Sequence, residues 1–403
     1  MNLARLSLAY LGSRPLNTAL NLVLLALGVG TVALVLLATT QVEERMSRDA
    51  RGIDLVAGAK GSPMQLVLSA VFHLDAPTGN IPLAAAKQLA TNRAIRKSIP
   101  LALGDSFRGY RIVGTTHDYP RHFGGELADG KLWEAPLDAV LGAEAAAATG
   151  LGVGGQFVGA HGLGEGGEKH REAPYKVVGV LRPTGTVLDR LVLCSVESVW
   201  FVHVQREKHD DPKEVPPQLR ADEQEITALL IQYATPIAAA TLPRLINATS
   251  NLQAASPAFE SARLFRMIGV GVDVLRAFAL VLVAAAGLSI FIALYNAMEE
   301  RRYDLAVMRM LGASAGKLMR LVLLEALVLA LVGAAIGLAL GHLAAEAVGA
   351  MLTAEKQGGI SGAVWLGAEL WLIGLAAAVG LVAGLVPAWR AYRTDIATTL
   401  AES

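Results

Sequence analysis

"NAMEERRYDLAVMRMLGAS", residues 296–314, is a short charged segment that lies between two long apolar runs. No Asp, Glu, Lys or Arg occurs from Ala277 to Met298, and none occurs from Ala326 to Ala345. A helix needs about 20 predominantly apolar residues to cross a bilayer. The stretch therefore predicts two membrane spans joined by a short charged connection.

The chain as a whole is too apolar for an ordinary soluble protein. Of its 403 residues, 53% are hydrophobic and 17% are charged, and the mean hydropathy is +0.46. Four predicted spans cover residues 19–40, 274–298, 318–342 and 369–389. The first could be a signal peptide, but its apolar run is too long and no convincing cleavage site follows, so we expect an uncleaved span.

The distribution of Lys and Arg predicts how the spans are oriented, because short cytoplasmic flanks are enriched in these residues. The connection at 299–317 has four arginines or lysines and Arg320 follows it, whereas the connection at 343–368 has only Lys356. Residues 1–18 and 390–403 also carry arginines. We therefore expect both termini and residues 299–317 to be cytoplasmic, with residues 41–273 and 343–368 on the opposite side.

The insert at residues 41–273 is long enough to form its own core. Short runs rich in β-branched residues, such as "YRIVGTT" (110–116) and "YKVVGVL" (175–181), predict strands, and "LAAAKQLATN" (83–92) predicts a helix. The predicted fold class is therefore a membrane α-helical protein with four transmembrane helices. A large extracytoplasmic α+β domain with a mixed sheet is inserted between helices 1 and 2.

The charged connection itself predicts a short amphipathic helix. Leu305, Met308 and Leu311 recur with helical spacing and form one apolar ridge. Charged residues surround this ridge: Glu300, Arg301, Arg302, Asp304 and Arg309. Gly312 permits a turn, and Ser314 can cap the next helix.

Two interpretations of this helix remain open at this point. A helix with this pattern can lie among lipid headgroups, with its arginines near phosphates. Alternatively, a cytoplasmic partner can bind it and thereby move the two spans to which it is joined.

The eight histidines raise the possibility of a metal site. The weak candidates are His73 and Asp75, which are close in sequence, and His161 and His170, which lie in a Gly-rich loop. None shows a strong ligand spacing such as two histidines on one helix face. Solvated loop histidines are the simpler interpretation.

Motifs for catalysis are absent from the sequence. "GASAGKLM" (312–319) lacks both the spacing and the final Ser or Thr of a phosphate-binding loop, and no zinc-protease motif occurs. We expect no enzymatic activity and no cofactor in this chain. The balance of 35 basic and 35 acidic residues gives no indication of nucleic-acid binding.

The residues from Glu299 to Gly341 closely resemble the FtsX-like permease domain of ATP-binding cassette (ABC) transporters. The resemblance rests on Glu300, Arg301, Arg302 and Asp304, on the run Leu311, Gly312, Ala313 and Ser314, and on the early Glu325 of the next helix. The tail "GLVPAWRAYRTDIATTLAE" also resembles the family's ending, although Asp395-Ile396 replaces its usual Asp-Pro. In the insert, residues 139–162 and 175–200 resemble the periplasmic core domain of macrolide-exporter-type permeases, and residues 54–82 suggest a subfamily within them.

This resemblance implies a permease subunit in the bacterial inner membrane. It implies that residues 299–317 form the coupling helix, which docks on a separate ABC ATPase dimer that binds ATP and Mg. It also implies a second permease copy. The expected role is mechanotransmission to the periplasmic domain, for export or extraction of a lipoprotein, lipid, peptide or small amphiphile, with a possible periplasmic or outer-membrane partner.

Two alternative functions remain open. The chain could be a transmembrane signalling regulator of a periplasmic partner such as a cell-wall hydrolase. A weaker alternative is a metal-linked transport system that uses the loop histidines.

Overall fold

The structure is a computed structural model. It describes residues 10, 12–13, 15–162, 172–208, 223–354 and 359–393, without the side chains of 203–208. The chain divides into two compact units. One comprises Met1–Val42, Ile268–Leu352 and Gly359–Ser403, and the other comprises Glu43–Met267 and Thr353–Gly358. We call them the membrane unit and the exported domain.

The helices are numbered in chain order. They are α1 (Pro15–Asp49), α2 (Pro63–Ala70), α3 (Leu83–Ala90), α4 (Asp118–His122), α5 (Ala143–Thr149), α6 (Val196–Lys208), α7 (Ala238–Thr249), α8 (Pro257–Glu300), α9 (Arg302–Met310), α10 (Ala315–Ala354) and α11 (Glu369–Tyr392). Among the described residues, α1, α8, α10 and α11 are long and apolar enough to cross a membrane. They contain the predicted spans 19–40, 274–298, 318–342 and 369–389.

Small residues bring the helices of the membrane unit close together. A Cβ on Gly337 of α10 would lie 2.8 Å from the carbonyl oxygen of Ala26 in α1, and a Cβ on Gly30 would lie 2.9 Å from the carbonyl oxygen of Gly337. Only glycine permits backbones to approach this closely, as is usual where membrane helices pack. One buried cluster collects Leu25, Val283, Ala334 and Ala376, one from each long helix.

The strands are also numbered in chain order. They are β1 (Leu55–Ala59), β2 (Ile81–Pro82), β3 (Ile95–Phe107), β4 (Tyr110–Thr115), β5 (Leu127–Gly130), β6 (Asp138–Leu141), β7 (Gln156–Phe157), β8 (Ala160–His161), β9 (Tyr175–Leu181), β10 (Leu191–Ser195), β11 (Glu225–Ile226), β12 (Ala228–Tyr233) and β13 (Leu252–Ala255). The main path of the large sheet runs β13-β1-β12-β3-β4-β10-β6-β9-β5.

This sheet is mixed, which confirms the predicted α+β class. Strands β10 and β4 pair in parallel, as do β6 and β9, while β3 pairs antiparallel with both β12 and β4. Both faces of the sheet are covered. One buried cluster includes Leu55, Tyr175 and Val192, and the other includes Val56, Tyr119 and Leu193. Because adjacent residues such as Leu55 and Val56 enter opposite clusters, the strands read as continuous apolar runs.

Candidate functional site

Helix α9 corresponds to the short amphipathic helix that the sequence predicts, and both of its ends are well defined. Helix α8 ends at Glu300, Arg301 forms a single-residue break, and α9 begins at Arg302. At the other end, the N–H of Ala313 donates to the carbonyl of Met308, and that of Gly312 donates to the carbonyl of Arg309, both at 3.0 Å. This is a Schellman motif, in which glycine supplies the positive φ. Gly312 has φ +96°.

The next helix follows immediately after this turn. The carbonyl of Ser314 accepts hydrogen bonds from the backbone N–H of Lys317 and Leu318. Ser314 therefore occupies the capping position that the sequence predicted for it. A turn of only four residues, 311–314, separates α9 from α10.

One side of α9 is packed against three long helices. Leu305 is 2% exposed and Ala306 is fully buried. Leu305 lies in a cluster with Met298 of α8, Leu318 of α10 and Ala388 of α11. Met308 is partly buried against the same cluster. A displacement of α9 therefore acts directly on the ends of three candidate spans.

The opposite side of α9 is apolar and exposed. Tyr303 is 55% exposed, Met310 61% and Leu311 83%. We call these three residues the docking face. The structure thus divides the predicted ridge, since Leu305 and Met308 point inward and only Leu311 belongs to the exposed side. Glu300, Arg302 and Asp304 are exposed beside it.

Arg301 is a charged residue of this segment whose side chain points inward. Its Nη1 lies 3.3 Å from Oε1 of Glu325 on α10, and its Nη2 donates to the carbonyl of Tyr10 at 3.3 Å. The guanidinium carbon also sits 3.7 Å from the centre of the Tyr10 ring. The side chains of Arg301 and Glu325 are 13% and 5% exposed. The pair therefore ties the α8–α9 break to α10 and to the N-terminal segment.

A second group of charges lies at the surface of the same region. Glu299 contacts Arg302 at 3.4 Å and Arg390 of α11 at 3.5 Å. These side chains are about half exposed, so each ion pair contributes little to stability.

The candidate metal ligands that lie within the described residues form hydrogen bonds or ion pairs with other protein groups. Nε2 of His73 hydrogen-bonds the Tyr119 hydroxyl at 2.9 Å, and a carboxylate oxygen of Asp75 accepts the N–H of Ala76. Nδ1 of His161 lies 3.1 Å from a carboxylate oxygen of Asp105, a partner that the sequence did not indicate. Within the described part of the chain, no three His, Cys, Asp or Glu side chains form a group that could hold a metal ion. His170 lies outside the described residues.

Comparisons with known proteins cover both parts of the chain. The pattern of the MacB-like periplasmic core domain matches residues 18–265, more than half of the sequence, and that of the FtsX-like permease C-terminal domain matches residues 276–396. The chain belongs to the FtsX/MacB-like family of ABC transporter permeases. The FtsX-like match contains α9, Arg301 and Glu325, and the MacB-like match contains His73.

Individual relatives of this permease are distant. The macrolide export ATP-binding/permease protein MacB of Syntrophobacter fumaroxidans is 30% identical over 121 residues, which are 30% of this chain and 16% of that protein. A solved structure, the extracellular domain of the noncanonic ABC-type transporter YknZ from Gram-positive bacteria, matches 50% of this chain and 99% of its own length. With 10% identity and a TM-score of 0.30, that likeness is too weak to define the fold.

Family membership establishes the broad nature of the protein. This permease is a multi-pass membrane protein with a periplasmic domain between its first two spans, and this domain is the one that we call the exported domain.

Inside the periplasmic domain, His73 is buried and has an unusual backbone, with φ +56°. Burial, and then the nearby Arg111 and Arg190, holds the pKa of His73 well below its ordinary value near 6.5. The folded domain therefore keeps His73 neutral, whereas the unfolded chain takes up a proton below about pH 6.5. The stability that neutral His73 provides is present above that pH and is lost as the pH falls below it.

We expect His73→Asn to reduce the acid sensitivity of the folded permease, because asparagine tolerates the left-handed backbone and takes up no proton. The wild type should lose up to about 1.4 kcal/mol per pH unit more than the variant between about pH 6.5 and pH 5. Thermal unfolding of the full chain at several pH values measures this difference. His122→Asn, at a partly exposed histidine, is the matched control. Parallel curves for wild type and His73→Asn would contradict the prediction.

Proposed function

We propose that this chain is the transmembrane subunit of an ABC transporter that transmits the motion of a separate ATPase pair to its periplasmic domain. The observation that carries the proposal is the two-sided packing of α9. Its inner residue Leu305 is held by α8, α10 and α11, while Tyr303, Met310 and Leu311 are exposed. An element that is anchored to several spans and has an exposed apolar face can both receive a partner and transmit force.

The proposed topology follows the distribution of Lys and Arg. Helix α9 and both termini lie in the cytoplasm, and residues 41–273 lie outside the inner membrane. The ATPase dimer binds the ATP and Mg, and two copies of the permease bind the two ATPases.

The proposed motion uses the helices as rigid elements. Closure of the ATPase pair displaces both copies of α9, and the continuous helix α8, which runs from Pro257 to Glu300, passes the displacement along its length. Rigid-body and hinge movements of this kind are common in switching proteins. The periplasmic domains then change conformation, and with it their binding of a lipoprotein, lipid, peptide or small amphiphile. ATP hydrolysis thereby drives the export or extraction of this substrate.

The test is a binding and ATPase assay with the candidate ABC ATPase and the full chain in nanodiscs. Leu311→Asp places a charge on the most exposed residue of the docking face, and a hot-spot residue of an interface contributes about 2 kcal/mol or more. We expect it to weaken ATPase binding at least about tenfold and to abolish modulation of ATP hydrolysis. Leu311 is 83% exposed, so the fold should be unaffected.

Ile237→Asp is the matched control, because Ile237 is also a strongly exposed apolar residue, at 73%, but lies in the exported domain. It should bind the ATPase as the wild type does. If Leu311→Asp also binds normally, α9 is a helix that lies at lipid headgroups and the proposed coupling role is wrong.

A further inference from the structure

Residues 359–368, which we call the strap, precede α11 and are fitted closely against α10. Ile360 is buried with Leu37 and Ala345. A Cβ on Gly349 of α10 would collide with the carbonyl oxygen of Ile360, and one on Gly362 would collide with the carbonyl oxygen of His342. The strap backbone therefore lies against the helix backbone, at a distance that only glycine allows.

Side chains from two helices hold the first part of the strap. Gln41 of α1 donates to the carbonyl of Ser361 at 2.8 Å and accepts its N–H at 2.9 Å. Glu346 of α10 accepts the N–H of Gly362 at 2.7 Å. The reciprocal amide pair and the carboxylate satisfy backbone groups that would otherwise face a helix surface.

The central contact is His342 of α10, whose two ring nitrogens both face acceptors. Nδ1 lies 2.6 Å from the carbonyl oxygen of Gly362, and Nε2 lies 3.0 Å from Oε2 of Glu369 at the start of α11. The other oxygen of Glu369 accepts the N–H of Leu366 at 3.1 Å. The Trp365 ring covers the imidazole at 4.3 Å between ring centres.

This geometry requires one proton more than a neutral histidine beside an ionised glutamate can supply. A carbonyl oxygen cannot donate, so Nδ1 must carry a proton. The contact between Nε2 and Oε2 then needs a second proton on one of the two atoms, because two acceptors 3.0 Å apart repel each other. The pair is therefore either imidazolium with carboxylate or neutral imidazole with carboxylic acid.

We infer that His342 and Glu369 form a proton-binding site that locks the strap onto α10, and that loss of this proton releases the strap. Both side chains are buried, at 8% and 2% exposed, so the unprotonated pair has no solvent to replace the missing hydrogen bond. The site does not depend on the ATPase or on the proposed coupling function.

The other groups that face the strap do not supply this proton. Glu346 is exposed to solvent and accepts the N–H of Gly362, and neither ring nitrogen of His342 contacts it. Gln41, the contribution of α1, does not titrate. Trp365 carries no charge. The strap is therefore held at low pH, and it is released as the pH rises and the His342–Glu369 pair loses its proton.

Cysteine accessibility tests this inference on the full chain in nanodiscs. Ile360→Cys places a thiol under the strap, and Val364→Cys places one on its 40% exposed surface. Because burial raises the pKa of a thiol, the ratio of their maleimide rates is divided at each pH by the same ratio measured in the Glu369→Gln background. The native Cys194 is fully buried and should not react. We expect the ratio to rise about tenfold between about pH 6 and pH 9.

Two substitutions test whether loss of this proton, rather than another effect of pH, opens the strap. In Glu369→Gln the amide donates to an unprotonated Nε2 while Nδ1 still donates to Gly362, so the strap should stay closed at every pH. In His342→Ala it should be open at every pH. A pH-independent ratio in the wild type, or a Glu369→Gln variant that opens as the wild type does, would overturn the inference.

Discussion

Replacing Arg301 with alanine is expected to remove most of the folded permease from the membrane. The substitution removes the guanidinium from its 3.3 Å contact with the buried carboxylate of Glu325, whose side chain is 5% exposed. Breaking one side of a buried ion pair typically costs about 3–5 kcal/mol. Domains are stable by only about 5–15 kcal/mol in total, so this loss is a large fraction of the stability.

The double variant Arg301→Ala/Glu325→Gln shows whether the buried charge is the cause. Removing both charges of a buried pair is often nearly neutral, so the double variant should recover much of the folded yield, measured by detergent-extracted monodisperse protein. Arg302→Ala removes a pair whose side chains are about half exposed, and it should change the yield little. If single and double variants lose the same amount, the contacts of Arg301 with Tyr10 matter more than its pair with Glu325.

The architecture of this permease could be predicted from its sequence because membrane spans depend on composition. Apolar runs near 20 residues predicted the four long helices, and β-branched runs predicted strands such as β4 and β9. The turn after α9 was also predictable, since Gly312 is the residue that a Schellman motif favours.

The inward side of α9 was not predictable from periodicity alone. At about 100° per residue, Leu305 and Leu311 lie about 120° apart on a helical wheel, and Met308 lies between them. Spacing places the three on one broad face, but it does not say which edge of that face meets other helices. The structure shows that Ala306, next to Leu305 on the helix, is fully buried. The neighbouring helices therefore pack against the edge that Leu305 and Ala306 form, and Leu311 lies on the exposed edge.

Contacts between residues that are distant in the chain could not be predicted from the sequence either. His342 and Glu369 are 27 positions apart and meet only because the strap folds back on α10. The single weak signal was the position of both residues at the edges of predicted spans, where an ionisable side chain can find a polar partner. Asp105 and His161 likewise meet through the pairing of β3 with β8.

The division of α9 into two sides predicts that docking and transmission can be separated. Leu305→Ala should leave ATPase binding within about twofold of the wild type, because the docking face of Tyr303, Met310 and Leu311 is unchanged. It should nevertheless greatly weaken the ATP-driven response of the periplasmic domain. The removed side chain contacts α8, α10 and α11, so a cavity there lets α9 move without moving the spans.

A fluorophore on Leu74→Cys, which is 45% exposed in the exported domain, reports this response in nanodiscs with the ATPase and ATP. Leu305→Ala should bind the ATPase and give little signal, whereas Leu311→Asp should fail at both steps. Met308→Ala, at a partly buried position of the same cluster, should be intermediate. Since Leu→Ala in a core costs about 2–5 kcal/mol, thermal unfolding must show that the variant is folded at the assay temperature. A folded Leu305→Ala variant with a full signal would mean that force reaches the periplasmic domain by a route other than this cluster.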